Sequence, residues 1–238
     1  MTRKKKGKKL SPVEVVILLI VAIGSYIFYN YGPGAAPHAV SVADVPEYSG
    51  HAYAVINENE PLFDADDLVT ESYEYYSPLD GLGRCGYAMA CVGRELMPTE
   101  DRESISAVKP SGWIQAQYDF VESRSLYNRC HLIGFQLTGE NANERNLITG
   151  TRYLNTQGML PYENMIADYI KETGNRVIYR VTPIYADDDL VASGVQMEAR
   201  SVEDQGEGIC FHVYVYNVQP GVVIDYATGE SRLDSEHR

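Results

Sequence analysis

At 238 residues with 45% hydrophobic content, the chain is long enough for one large domain or two small ones with a proper core. A formal net charge of −13 argues against a protein that wraps duplex nucleic acid with a basic surface. Nineteen tyrosines against five phenylalanines point to half-buried strands under a wet surface, and no internal repeat divides the chain.

The charge is unevenly placed. Residues 1–31 carry six of the 20 Lys/Arg, all between Arg3 and Lys9, and one of the 33 acids, Glu14. The remainder therefore holds fourteen basic and thirty-two acidic residues, a net of −18. Behind the basic cluster, Val13 to Tyr29 form a 17-residue apolar run with a terminal aromatic group, Tyr26, Phe28, Tyr29 and Tyr31. That length is short for a bilayer span of about 20 residues and long for a signal-peptide core of about 7–15. No clean A-x-A cleavage site follows, so the run reads as an uncleaved signal-anchor, with a cleaved signal as the alternative. The Lys/Arg excess in front of it keeps the N-terminus inside and everything after Tyr31 outside. The reading divides the chain into a cytoplasmic basic segment (1–12), a transmembrane segment (13–31), a Gly/Pro/Ala-rich linker (32–50) and a catalytic domain (51–238).

From His51, HAYAVI reads as a first strand. PLFDADDLV then offers a turn and a short helix or loop; Asp64, Asp66 and Asp67 lack the glycine and distal glutamate of an EF-hand loop and read as solvated or capping. The stretch Tyr73–Pro98 mixes the turn signals SPLDGLG with one strand, RCGYAMACV, flanked by Arg84 and Arg94. Trp113, the only tryptophan, reads as a core anchor rather than a base-stacking platform. Met159 to Thr173 keeps Leu160, Ile166, Tyr169 and Ile170 at helical spacing, and Gly174-Asn175 stops it. Three strands follow, RVIYRVTPIY, LVASGVQMEARSV and CFHVYVYNVQ, separated by acidic turns. In the last, Phe211, Val213 and Val215 alternate with His212, Tyr214 and Tyr216, which makes His212 a surface residue rather than a second base. The tail from Thr228 is polar and frays. Cys85, Cys91, Cys130 and Cys210 show no C-x-x-C spacing for zinc, and three disulfide pairings or free thiols all remain open. Cys85 and Cys91, if on one straight strand, are roughly 20 Å apart and cannot bridge.

The chemistry concentrates between Asn128 and Asn164. His131 follows Arg129; Asn146 comes 15 residues later, Asn155 nine further on, and Glu163 eight beyond that. Imidazole takes a proton from water near neutral pH, amide and carboxylate oxygens suit Mg²⁺ or Ca²⁺, and a guanidinium forks onto phosphate. The order and spacing resemble the sugar-non-specific DNA/RNA endonucleases of the ββα-metal class, in the branch of bacterial DNA-entry nucleases and streptodornases. That family carries Asp-Arg-Gly-His, an Asn, a second Asn nine later and a Glu eight after that. Here the motif is Asn128-Arg129-Cys130-His131, then Asn146, Asn155 and Glu163, so the 9 and 8 spacings match while Asn128 and Cys130 depart. The likeness runs from about His51 to Ser231.

The resemblance implies an α+β, ββα-metal fold: a central antiparallel sheet flanked by helices, behind an N-terminal transmembrane helix. It implies a metal-dependent phosphodiester hydrolase of DNA, and of RNA, acting outside the cytoplasm. His131 is then the general base, Asn155 the direct ligand of one Mg²⁺ (or Mn²⁺), Glu163 its helper, Asn146 a positioning residue and Arg129 a phosphate clamp. Arg84 stands where the family has an additional phosphate-contacting arginine. From Arg129 to Arg180 six basic residues face five acids, locally less hostile to nucleic acid than the rest. The rival class is a catalytically weak surface module that binds or takes up nucleic acid, motivated by the departures at Asn128 and Cys130. A structural surface protein with a chance motif is the third reading, and the double spacing match argues against it.

Overall fold

The computed structural model describes residues 38–65 and 67–235; the basic cluster, the apolar run 13–29 and Asp66 lie outside them. Among the described residues no helix is long and apolar enough to cross a membrane.

Six strands build one antiparallel sheet: β1 (Tyr53–Val55), β2 (Tyr73–Tyr76), β3 (Ala88–Val92), β6 (Val177–Ile184), β7 (Gly194–Ser201) and β8 (Cys210–Tyr216), in the order β1-β8-β7-β6-β3-β2. The three long runs after Gly174 thus become its centre, as their alternation requires. Val177, Tyr179 and Val181 of β6, Val195, Met197 and Ala199 of β7, and Phe211, Val213 and Val215 of β8 all lie in one core cluster. Period 2 puts these side chains on one face of the pleat.

Against that face packs the unit that carries His131, Asn155 and Glu163. A two-stranded ribbon, β4 (Tyr127–His131) with β5 (Leu147–Thr151), pairs His131 with Leu147 and Asn128 with Gly150. A short helix α1 (Phe135–Thr138) follows β4. After β5 comes a π-helical turn, Leu154–Met159, then helix α2 (Leu160–Thr173). Pro161 in its first turn and Gly174 at its end (φ 77°) delimit α2, and the Gly174 N–H reaches the Ile170 carbonyl. Ile166, Ala167 and Ile170 are buried against the sheet, about 1.5–3 kcal/mol for each isoleucine. Asn217, fully buried, ties ribbon to sheet: its carboxamide accepts from Thr151 N and donates to the Thr149 and Ala192 carbonyls.

Several expectations are corrected. β2 comes from Tyr73–Tyr76, hidden beside the turn signals that follow it. His212 is not on the surface. The polar face of β6–β8 is covered by residues 59–63 and Asp67, so Arg180, Glu198 and His212 are all buried. There Arg180 meets Glu198 at 2.9 Å and the Leu62 carbonyl at 2.7 Å, while Glu198 accepts from Leu62 N. The tail does not fray at Thr228: β10 (Ser231–Leu233) pairs with β9 (Val222–Ile224). All four cysteines are free thiols, Cys85, Cys91 and Cys130 buried.

Cys130, the residue that replaces the family glycine, points into the core rather than toward its neighbour His131. Its sulfur lies against Gly150, where any Cβ would collide with it and with Leu154. Gly150→Ala should therefore cost about 1–3 kcal/mol by overpacking, and adding Cys130→Ala should recover part of that loss. Thermal denaturation of the two single variants and the double variant measures this coupling; additive losses would contradict it.

Candidate active site

The end of β4, the turn after it, the π-helical turn and the start of α2 surround a cleft of about 610 Å³. His131, Asn155, Glu163, Arg129, Arg102, Arg152 and Trp113 are among its lining residues.

His131 is 7% exposed. Its Nε2 lies 2.7 Å from the Asn141 carbonyl, which can only accept, so Nε2 carries the proton. Nδ1 is left with its lone pair, and Nη2 of Arg102 sits 3.3 Å from it. Burial lowers the imidazole pKa to about 4; the carbonyl contact opposes this and the Arg102 charge adds to it. The ring is thus a neutral base at physiological pH.

Asn146 is fully buried and holds both backbone groups of Ile133, accepting from its N–H at 2.9 Å and donating to its carbonyl at 3.0 Å. It lies beneath the cleft rather than in it, and braces the turn from His131 to Gly134. Gly134 is where Glu163 comes closest: a Cβ there would meet the carboxylate at 2.6 Å. Burial pushes the Glu163 carboxyl up to about 8, against the pull of the Gly134 N–H and of Arg102. Its Oε1 has no hydrogen-bond partner among the described residues.

Asn155 sits in the π-helical turn, whose widened ladder brings Leu160 N onto the Asn155 carbonyl. Such single π turns re-aim a side chain inside an otherwise regular helix. The donor set, one amide oxygen and one half-satisfied carboxylate, fits a hard divalent cation that keeps most of its waters. Among the described residues no group of three or more His, Cys, Asp and Glu side chains gathers to form a closed zinc-type site.

The arginines are distributed differently from expectation. Arg84 does not reach the cleft; it pairs with Asp80 at 2.7 Å and donates to the Asp187 and Asp189 carbonyls. Arg102 takes the place beside the base. It lies in an irregular loop among Glu100, Asp101 and Glu103, where a lone cation reads as a solvated charge, and no periodicity marks it. Trp113, expected in the core, is half-buried at the cleft wall with the Arg129 guanidinium 4.2 Å from its ring centroid.

The model of the DNA/RNA non-specific endonuclease family matches residues 65–203, more than half of the chain and all of this cleft. The chain belongs to that family. This DNA/RNA non-specific endonuclease is similar to NucA from Streptococcus agalactiae in its magnesium-bound structure: 27% identity, TM-score 0.71, over 82% of this chain and 92% of that one. It is likewise similar to the Sda1 nuclease with bound zinc, at 27% identity and TM-score 0.64, over 78% and 96% of the two chains. An extracellular endonuclease shares the fold at 20% identity and TM-score 0.55, over 79% of this chain and all of that one. The mixed α/β architecture with its central antiparallel sheet is thus the nuclease fold.

If Arg102 helps hold His131 neutral, Arg102→Ala should move the imidazole titration upward, from about 4 toward its ordinary value near 6.5. The acid limb of activity should then move to higher pH, because a protonated imidazole cannot accept the proton of water. NMR titration of His131 in both proteins checks this; an unmoved titration would remove Arg102 from the account.

Proposed function

We propose that this endonuclease hydrolyses phosphodiester bonds of DNA, and of RNA, outside the cytoplasm with Mg²⁺ as its cation and Mn²⁺ as a substitute. The observation that carries the reading is the convergence of His131, Asn155 and Glu163 on one cleft: with Nε2 committed to the Asn141 carbonyl, Nδ1 is the basic nitrogen, and the attacking water takes the position from which Arg102 Nη2 now donates to it at 3.3 Å. His131 takes a proton from the attacking water. The water oxygen forms its bond to phosphorus as the bond from phosphorus to the leaving oxygen breaks, and the displaced oxygen leaves with a proton from solvent. Asn155 and Glu163 hold the cation, which when bound stabilises charge developing on the phosphate and the leaving oxygen. Arg102 and Arg129 supply positive charge along the cleft, and Asn146 keeps the His131–Gly134 turn in place. The magnesium bound to NucA supports this choice of cation; the Sda1 structure holds a zinc ion instead.

An acidic enzyme of this kind engages its substrate locally. Three arginines and one glutamate line the cleft, so the positive charge is concentrated where a phosphate passes. The complete catalytic set favours turnover over the binding-only alternative.

Purified protein should cut plasmid and single-stranded substrates with Mg²⁺ and stop in EDTA. His131→Ala should lower turnover by about 10² to 10⁴ with the fold intact. Asn155→Ala should raise the Mg²⁺ concentration needed for half-maximal rate. Full activity in EDTA, or in the His131→Ala protein, would defeat the assignment.

The place of action rests on the sequence alone. We propose that the apolar run 13–29, behind its basic cluster, exports the domain 51–238 across the membrane and stays as an anchor. Protease added to intact cells should remove the domain beyond Gly32 and leave a membrane-embedded stub. Activity released to the medium with a mature N-terminus near residues 36–40 would make the run a cleaved signal, and activity confined to the cytoplasm would reject export.

A further inference from the structure

Arg129 precedes His131 by two residues, so both side chains leave β4 on the same face. Its fork, however, is occupied. Nε donates to the Val108 carbonyl, Nη2 donates to the Ser106 carbonyl at 2.8 Å, and the guanidinium plane stacks on Trp113. One edge and one face of the group are spent on the protein itself. What they hold is a segment with no helix or strand, closed on itself by a single turn from Val108 N to the Ile105 carbonyl. That segment leads directly back to Arg102, whose side-chain hydrogen-bond partner is Nδ1 of His131. No hydrogen-bond ladder fixes Arg102 from its own neighbours; the anchor nearest to it in the chain is the pair of carbonyls held by Arg129.

We propose that Arg129 is a positioning residue that acts through Arg102, and not a phosphate clamp in its own right. β4 then sets the base twice. It carries the imidazole itself, and two residues earlier it carries the bracket that brings a cation to the imidazole's free nitrogen. A fork makes this bracket possible, since a lysine ammonium is a point charge that cannot span two carbonyls while lying flat on an indole. The inference rests on reading the cleft as the nuclease site, but the contact it concerns is measurable without turnover.

The test compares Arg129→Ala, Arg129→Lys, Arg102→Ala and the Arg102→Ala/Arg129→Ala double variant in the full-length chain. Two readouts are needed: the NMR titration of His131 in EDTA, and the rate on an oligonucleotide with saturating Mg²⁺. We expect Arg129→Ala to move the His131 titration upward as Arg102→Ala does, and the double variant to move it no further. Each single variant should lose on the order of 10²-fold in rate, with the double variant no worse than the weaker single, as expected of groups that act as one unit. Arg129→Lys should recover little of either readout, although it keeps the charge and the fold. The only tryptophan gives a further check, because loss of the stacked guanidinium should alter Trp113 fluorescence in both Arg129 variants. A double variant whose loss is the product of the singles, a lysine variant with near-normal rate, or a His131 titration untouched in Arg129→Ala would each overturn the proposal. A wild-type protein without nuclease activity would reject the function proposed above, while the titration would still decide whether Arg129 holds Arg102 on His131.

Discussion

The cleft depends on a carboxylate that the protein fold only half satisfies. Glu163 occupies a position on the buried stripe of α2, in register with Ile166, Ala167 and Ile170. A charged group there is expensive unless something compensates it. The chain supplies one backbone N–H from Gly134 and the nearby charge of Arg102, and leaves Oε1 without a partner among the described residues. The raised pKa of Glu163 expresses the shortfall. Two glycines make the arrangement possible. Gly134 admits the carboxylate, and Gly158, where a Cβ would collide with Val215, lets the helical turn that carries Asn155 lie flat on the sheet.

The same physics works on the other side of the sheet with the opposite outcome. Arg180, Glu198 and His212 are as buried as Glu163, but there the partners come from the protein: Leu62 offers both its N–H and its carbonyl, and Asp67 lies 3.8 Å from Arg180. That network ties residues 59–63 and Asp67 to the sheet, with Nη1 of Arg180 and Nε2 of His212 left without hydrogen-bond partners among the described residues. One buried carboxylate has both oxygens satisfied from within; the other lines the cleft with one oxygen unpartnered among the described residues. The difference lies in which partners are missing, not in how deeply the group is buried.

How much of this was legible in the sequence follows from what each feature depends on. The helix of Glu163 and the three central strands announce themselves through local periodicity, and the order His131, Asn146, Asn155, Glu163 carries the site through spacing. Arg102 carries no such signal. It is one cation in an acidic loop, brought to the imidazole by tertiary contacts of a segment that has no regular structure. His212 misleads for a related reason: alternation along β8 gives the two faces of a strand correctly but cannot say that residues 59–63, more than 140 positions earlier, will cover the wetter one. Arg84 fails because its position along the chain resembles that of a phosphate ligand, whereas its geometry is decided by Asp80, four residues before it.

The motif's departures from the family pattern become intelligible once β4 is seen as a strand. Cys130 lies in the core cluster, whereas Asn128, Arg129 and His131 line the cleft. The departure at 130 therefore falls on the side facing the core, where the added thiol is absorbed by a glycine on the partner strand, and burial raises its pKa so far that it is an inert filler rather than a nucleophile. The departure at 128 removes a formal charge at the cleft wall yet leaves a polar side chain there. Neither change touches the contact between the imidazole and its carbonyl partner, and the Glu163 carboxylate adds to the rise in the Cys130 pKa. Of four consecutive motif residues on the strand, the core takes one, Cys130, and the cleft takes the other three, so a change at 130 is judged by packing and a change at 128 by what the cleft holds.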